Sequence, residues 1–174
     1  APGTICMTNT KLRPPSVRMK QTARKYGIPR AAAAIVLPGS AVFTRLCELP
    51  PMTDAQLGYN LPFEFKDYLR EEKGQYVFDY SVQEAVRDEE GTVRQLRLFA
   101  CAALKSTVER YRAMLHRAGF RLKFAMPAAS AWEALAGLQA PEDCCFVDLG
   151  HSGTRLYVMR RGQFAAQRAA ELGV

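Results

Sequence analysis

Between Val147 and Arg161 the sequence reads VDLGHSGTRLYVMRR, an apolar strand pattern broken by small residues with one carboxylate, Asp148, at the mouth of the break. Gly150 and Gly153 permit close backbone approach, and Ser152 and Thr154 add hydroxyls. Backbone N–H groups and side-chain oxygens could thus converge on a phosphate chain while Asp148 holds a magnesium ion or its waters. The same residues also suit an ordinary hairpin turn, in which Gly supplies positive φ and Ser or Thr bonds its own backbone. Both readings stand on these residues alone.

Other chemistries find less support. His116 and His151 are the only histidines, so a zinc site or a histidine-based triad would have to be built around one of them. A hydrolase using Ser152 beside His151 would need an acid to orient the imidazole, and adjacent residues on a strand point to opposite faces. The five cysteines, Cys6, Cys47, Cys101, Cys144 and Cys145, are odd in number and contain no CxxC. Four lie in apolar strand-like runs and read as buried thiols of a reducing compartment, not as a disulfide framework or a zinc site.

Alternating elements must position the Asp148 turn. Pro14 and Pro15 open a helix expected to run to about Tyr26, with Met19, Ala23 and Tyr26 on one side and Gly27 as its stop. Ala32 to Leu37 is a continuous apolar run that fits a strand buried on both faces. Ala41 to Leu49 alternates, placing Phe43, Arg45, Cys47 and Leu49 opposite Val42, Thr44 and Leu46. Thr53 to Gln56 has capping-box spacing, and Pro62 is expected to kink or restart the helix that follows. Phe63 and Phe65, two apart, cannot share one helical stripe.

Gln75 to Val86 alternates with Tyr76, Phe78, Tyr80 and Val82 on one side, and it pairs with Thr92 to Leu104 across the turn at Asp88 to Gly91. Ser106 to Glu109 repeats the capping-box spacing and launches a helix ended by Gly119. A strand over 121–126 and a helix starting at Pro127, carrying Ala131, Trp132, Leu135 and Leu138, lead back to the turn at Asp148.

With 174 residues and 48% hydrophobic composition the chain can bury a substantial core. No run approaches the length of a membrane-spanning helix, and no charged-then-apolar signal segment opens it. Of 24 Lys and Arg, seven fall in the first thirty residues, which hold no acid, leaving 17 against 17 Asp and Glu in the remaining 144. A nucleic-acid binder would interleave such cations with stacking aromatics, and Tyr26 is the only aromatic in that segment. A solvated helix face or contact with anionic lipid fits better.

The order of motifs is specific where each motif alone is weak. IVLPGS at 35–40, LPP at 49–51, FDY at 78–80, FACAALKSTVERYRAMLHRAGF at 99–120 and FVDLGHSGTRLYVMRRGQF at 146–164 together resemble the PilM family, actin-like proteins of type IV pilus assembly. The likeness spans roughly residues 24–174. It implies an α/β fold, an actin-like, ribonuclease-H-like fragment. Residues 1–31 and 127–174 would belong to the large subdomain, and residues 32–126 to a small inserted α/β domain made of strand, helix, hairpin, helix and strand.

That resemblance implies a cytoplasmic scaffold, peripheral to the inner membrane, that binds the cytoplasmic tail of a PilN-like inner-membrane protein alongside other pilus assembly proteins. The membrane would be reached only through partners, with no nucleic acid involved. It also assigns Asp148, Gly150, Ser152, Gly153 and Thr154 to the second phosphate hairpin of an ATP and magnesium site, Asp148 acting through water. No catalytic base is implied, so the whole protein would be at most a slow ATPase.

The family's first phosphate loop and its adenosine loop are not found in this sequence, which implies a fragment that binds no cofactor by itself. An FtsA-like cell-division homologue shares the architecture, and a stand-alone protein-interaction module without nucleotide is a further reading.

Overall fold

The computed structural model describes residues 14–29, 31–139, 143–151 and 153–173, with residue 139 described in its backbone only. Helix α1 spans Pro15–Lys25, with Pro in its first turn and Gly27 at φ 64° just beyond its end. Only Ala23 of α1 is buried. Tyr26, expected on the packed side, is 67% exposed at the C-cap, with the Lys25 ammonium 5.3 Å from its ring centre. Lys11, Arg13, Arg30 and Cys6 lie outside the described residues.

Strand β1, Ala32–Leu37, pairs in parallel with β5, Arg121–Pro127. The expectation of a strand buried on both faces is not met. Burial alternates along β1 and Val36 is half exposed, because a two-stranded ribbon has one covered face.

A second sheet has the order β2, β4, β3, from Val42–Leu49, Val93–Leu104 and Tyr76–Arg87, all antiparallel. From Leu98 to Ala103 its central strand β4 is buried on both sides, as a middle strand between two layers must be. Leu98, Ala100 and Ala102 face helix α2, Asp54–Glu64, whose Leu57 and Leu61, together with Phe65, complete that core. Phe99 faces the opposite way, into a cluster with Ala129, Ala136, Tyr157, Met159 and Phe164.

Local chemistry accounts for the helix positions. Thr53 and Gln56 form the reciprocal capping box at the start of α2. Pro62 does not break α2, since it stands in the last turn, close to the helix end at Glu64, where little of the hydrogen-bond ladder remains to be lost. Arg45 holds the other end, its Nη1 donating to the Glu64 carbonyl at 2.6 Å. Phe65 is fully buried and Phe63 is 50% exposed, as their spacing requires.

Two expectations fail in β3 and in helix α3, Lys105–Ala118. A register shift between Val82 and Glu84 reverses the alternation of β3, so Val82 is 51% exposed and Gln83 turns inward. No capping box forms at Ser106. β4 runs directly into α3 with Leu104 as its uncapped N-terminal boundary, which places Ser106 inside the first turn. Gly119, at φ 93°, closes α3 as its position predicts.

Helix α4, Ala128–Gln139, carries the chain from β5 to a third sheet of β6, Cys144–Gly150, β7, Gly153–Arg160, and β8, Gln163–Ala170. Its buried side chains are Ala129 and Ala136, while Leu138, assigned by spacing to the apolar stripe, is 84% exposed.

Candidate functional site

Strand β6 alternates strictly, with Cys144, Phe146 and Asp148 turned toward the body and Cys145, Val147 and Leu149 outward. Trp132 of α4 fixes this inner face by stacking on Phe146, ring centres 4.8 Å apart and planes within 18°, and it also tilts against Tyr157. The carboxylate of Asp148 thus leaves a rigid, packed strand. Cys145, read from the sequence as a buried thiol, is exposed, and Cys144 is half-buried.

Gly150 pairs with Gly153 at the end of the ladder, and His151 stands in the turn beyond it. Neither glycine has positive φ. Glycine is needed here for space: a Cβ on Gly150 would stand 2.9 Å from the Gly153 carbonyl oxygen, and one on Gly153 would stand 2.9 Å from that of Ala170. The close approach expected toward a ligand is therefore met first by the protein's own backbone. The second turn, joining β7 to β8, uses positive φ at both Arg161 and Gly162, and Arg161 donates its N–H to the Asp143 carboxylate at 3.0 Å.

Of the residues assigned to a phosphate hairpin, Asp148, Gly150, Gly153 and Thr154 gather at the β6–β7 end, and Ser152 lies outside the described residues. The Thr154 hydroxyl donates to the Leu172 carbonyl at 2.6 Å, and Gly173 lies against the His151 carbonyl. His151 is exposed and accepts or donates no hydrogen bond with a carboxylate among the described residues. Nothing there orients it as a general base.

Sequence reading missed Arg155. It stands opposite Asp148 in the ladder, on the same inner side. Its Nε would lie 3.2 Å from a Cβ on Gly39, in the turn between β1 and β2. Both charges are felt by the buried Tyr157 hydroxyl, whose pKa is raised by burial, lowered by Arg155 and raised by Asp148. The signal was available, since Asp148 and Arg155 are equally spaced from the paired Gly150 and Gly153.

Among the described residues no three His, Cys, Asp or Glu side chains converge to enclose a metal ion. A lone carboxylate suits magnesium held through water and phosphate oxygens, and does not suit a metal caged by protein. With Arg155 as the cation beside it, this donor set fits one side of a magnesium phosphate group.

No protein-family model matches the sequence, and no curated protein matches it significantly. Solved structures do match. A chain of the PilM-PilN type IV pilus biogenesis complex superposes with a TM-score of 0.74 over 91% of this chain at 18% identity. The cytoplasmic domain of EpsL, an inner membrane component of the type II secretion system of Vibrio cholerae, superposes with a TM-score of 0.61 over 90% at 14% identity. This chain spans 48% and 56% of those two chains, about half of each. At these identities the likeness establishes the fold, and it bears out an α/β architecture like that of the chain from the PilM-PilN complex, as the motif order implied.

Proposed function

We propose that this chain is part of an actin-like scaffold protein of type IV pilus or related secretion assembly, which grips the cytoplasmic tail of a PilN-like inner-membrane protein. The observation that carries this reading is the superposition of nine-tenths of the chain on a chain of the PilM-PilN complex. EpsL, an inner membrane component of the type II secretion system, supports the same class of role.

In this reading residues 1–31 and 127–174 belong to a large subdomain, and residues 32–126 to an inserted one. The partner tail lies along an apolar groove between them, held by backbone hydrogen bonds. The whole protein is cytoplasmic and peripheral to the inner membrane.

The β6–β7 lip would serve as one wall of a nucleotide site in that whole protein. Asp148 would orient magnesium-bound waters, Gly150 and Gly153 would let backbone N–H groups approach phosphate, and Ser152 and Thr154 would add hydroxyls, Thr154 after releasing Leu172. Magnesium ATP, when bound, would supply the metal and phosphate charge that these residues hold. No side chain is assigned as catalytic base, so nucleotide would set a domain angle and not drive rapid turnover.

Immobilised peptide carrying a PilN-type cytoplasmic tail tests the scaffold role. Saturable retention of this chain, or of a version extended at both ends, supports it. Failure of the extended protein to bind the tail sinks it, whatever the nucleotide result.

A further inference from the structure

Helices α1 and α3 lie side by side, and the surface they share is cationic without counter-charges. Lys20, Arg24, Arg110, Arg117 and Arg121 are all exposed, and none takes part in an ion pair among the described residues. They line adjoining recesses. Arg117 and Lys20 border one of about 420 Å³ with Arg121, a second holds Lys20, Arg24 and Arg117, and a third holds Arg110 and Arg117. No Asp or Glu lines any of them.

Clustered like charges repel one another, so such a surface is stabilised by an anion, and by a dense array of anions most of all. Apolar groups share it. Val17, 40% exposed, borders a recess with Lys20 and Arg24, and Ile28, 50% exposed, borders another with the same two cations. Water solvates aliphatic side chains poorly, and nucleic acid offers them no aliphatic layer. The boundary between headgroups and acyl chains supplies anions and hydrocarbon together.

We infer that the α1–α3 surface is a docking face for an anionic lipid bilayer, with phosphate headgroups seated in the recesses around Lys20 and Arg117 and with Val17 and Ile28 at the acyl boundary. The contact is peripheral, as no described helix is long and apolar enough to cross a membrane. It is independent of the nucleotide lip and of the partner tail, and it adds a direct membrane contact where the family resemblance implied one made through partners.

Co-sedimentation of the full chain with phosphatidylglycerol-containing vesicles, against vesicles of phosphatidylcholine alone, tests this. Binding is expected only to the anionic vesicles and should weaken steeply with salt. Because each cation near an anionic surface contributes about a five-fold gain, replacing Lys20, Arg24 and Arg117 together by Gln should weaken binding about a hundred-fold. Val17→Ser should weaken it further, and Arg168→Gln on β8 should leave it unchanged. Equal binding to both vesicle types, or a triple variant that still binds, overturns the inference. So does full competition by inorganic phosphate, which would mark a free-anion site, or binding of a polyglutamate peptide without vesicle binding, which would mark an acidic protein partner.

Discussion

Asp148 on β6 stands directly opposite Arg155 on β7 without an ion pair between them. Opposite charges across a ladder normally gain from pairing. Here Arg155 leans instead toward the turn at Gly39, which leaves the Asp148 carboxylate free for an outside cation.

Asp148→Ala should therefore separate binding from folding. Since Asp148 makes no hydrogen bond or ion pair among the described residues, its loss should shift stability by no more than about 0.5 kcal/mol. Calorimetric titration of a longer protein that holds both phosphate loops should show magnesium nucleotide binding abolished. Arg155→Gln should weaken the same binding roughly ten-fold, the loss of one charge-assisted hydrogen bond. Unchanged nucleotide affinity in both variants removes the lip from the site.

Gly153→Ala tests the turn itself. A Cβ there meets the Ala170 carbonyl of the neighbouring strand, and backbone cannot swing aside as a side-chain end can. The strands must part, at a cost of about 1–3 kcal/mol, read as a lower midpoint in thermal denaturation. Gly58→Ala, which meets nothing within 4 Å, should instead be neutral or slightly stabilising, because alanine favours helix.

These contrasts also mark what the sequence could convey. Motif order across 35–164 was enough for the fold, because Thr53 and Gly119 each specify a helix end by local chemistry, and the alternation in β2 specifies a strand. Val82 was misplaced because a bulge costs one residue of register and leaves no compositional trace. Ser106 was misread because burial of Ala102 and Ala103 in β4 decides where strand gives way to helix, and that is a tertiary constraint. At the lip, Asp148 and the glycines were legible as types. The demand on Gly153, set by a strand 17 residues later, was not.

Thiol reactivity should divide the cysteines by burial. Cys47 and Cys101 are pushed up from 9.0 to about 11, first by burial and then by Glu64 for Cys47 and Asp79 for Cys101. In the folded chain at pH 8 a thiol reagent should modify exposed Cys145 fastest and leave these two nearly untouched. Both pKa values are raised on folding, so between about pH 9 and 11 the unfolded state holds fewer protons than the folded one, and stability should fall as pH rises through that window. Chemical denaturation at pH 8 and pH 10 checks the sign. A chain more stable at the higher pH would contradict it.

Phe99 should govern whether the sheet of β2, β3 and β4 and the layer of α4 with β6 to β8 unfold together. Its ring lies 4.8 Å from that of Phe164, and near it Gln83 donates to the Phe164 carbonyl at 3.0 Å while Gln163 donates to the Gln83 carbonyl at 2.6 Å. This buried aromatic contact and reciprocal amide clasp, with Gln167 donating to the Thr44 hydroxyl, join two layers whose clusters are otherwise separate. Phe99→Ala removes that ring from a site 3% exposed, which costs about 3–5 kcal/mol. Because Phe99 is the β4 residue that enters the cluster of α4 and β6 to β8, its loss weakens the joint between the layers, and calorimetry should turn one melting transition into two. Gln83→Ala should do the same more weakly, by about 1–2 kcal/mol. A Phe99→Ala protein that still melts in a single, lower transition would mean that the two layers are one cooperative unit, and would count against the proposed division at residues 126 and 127.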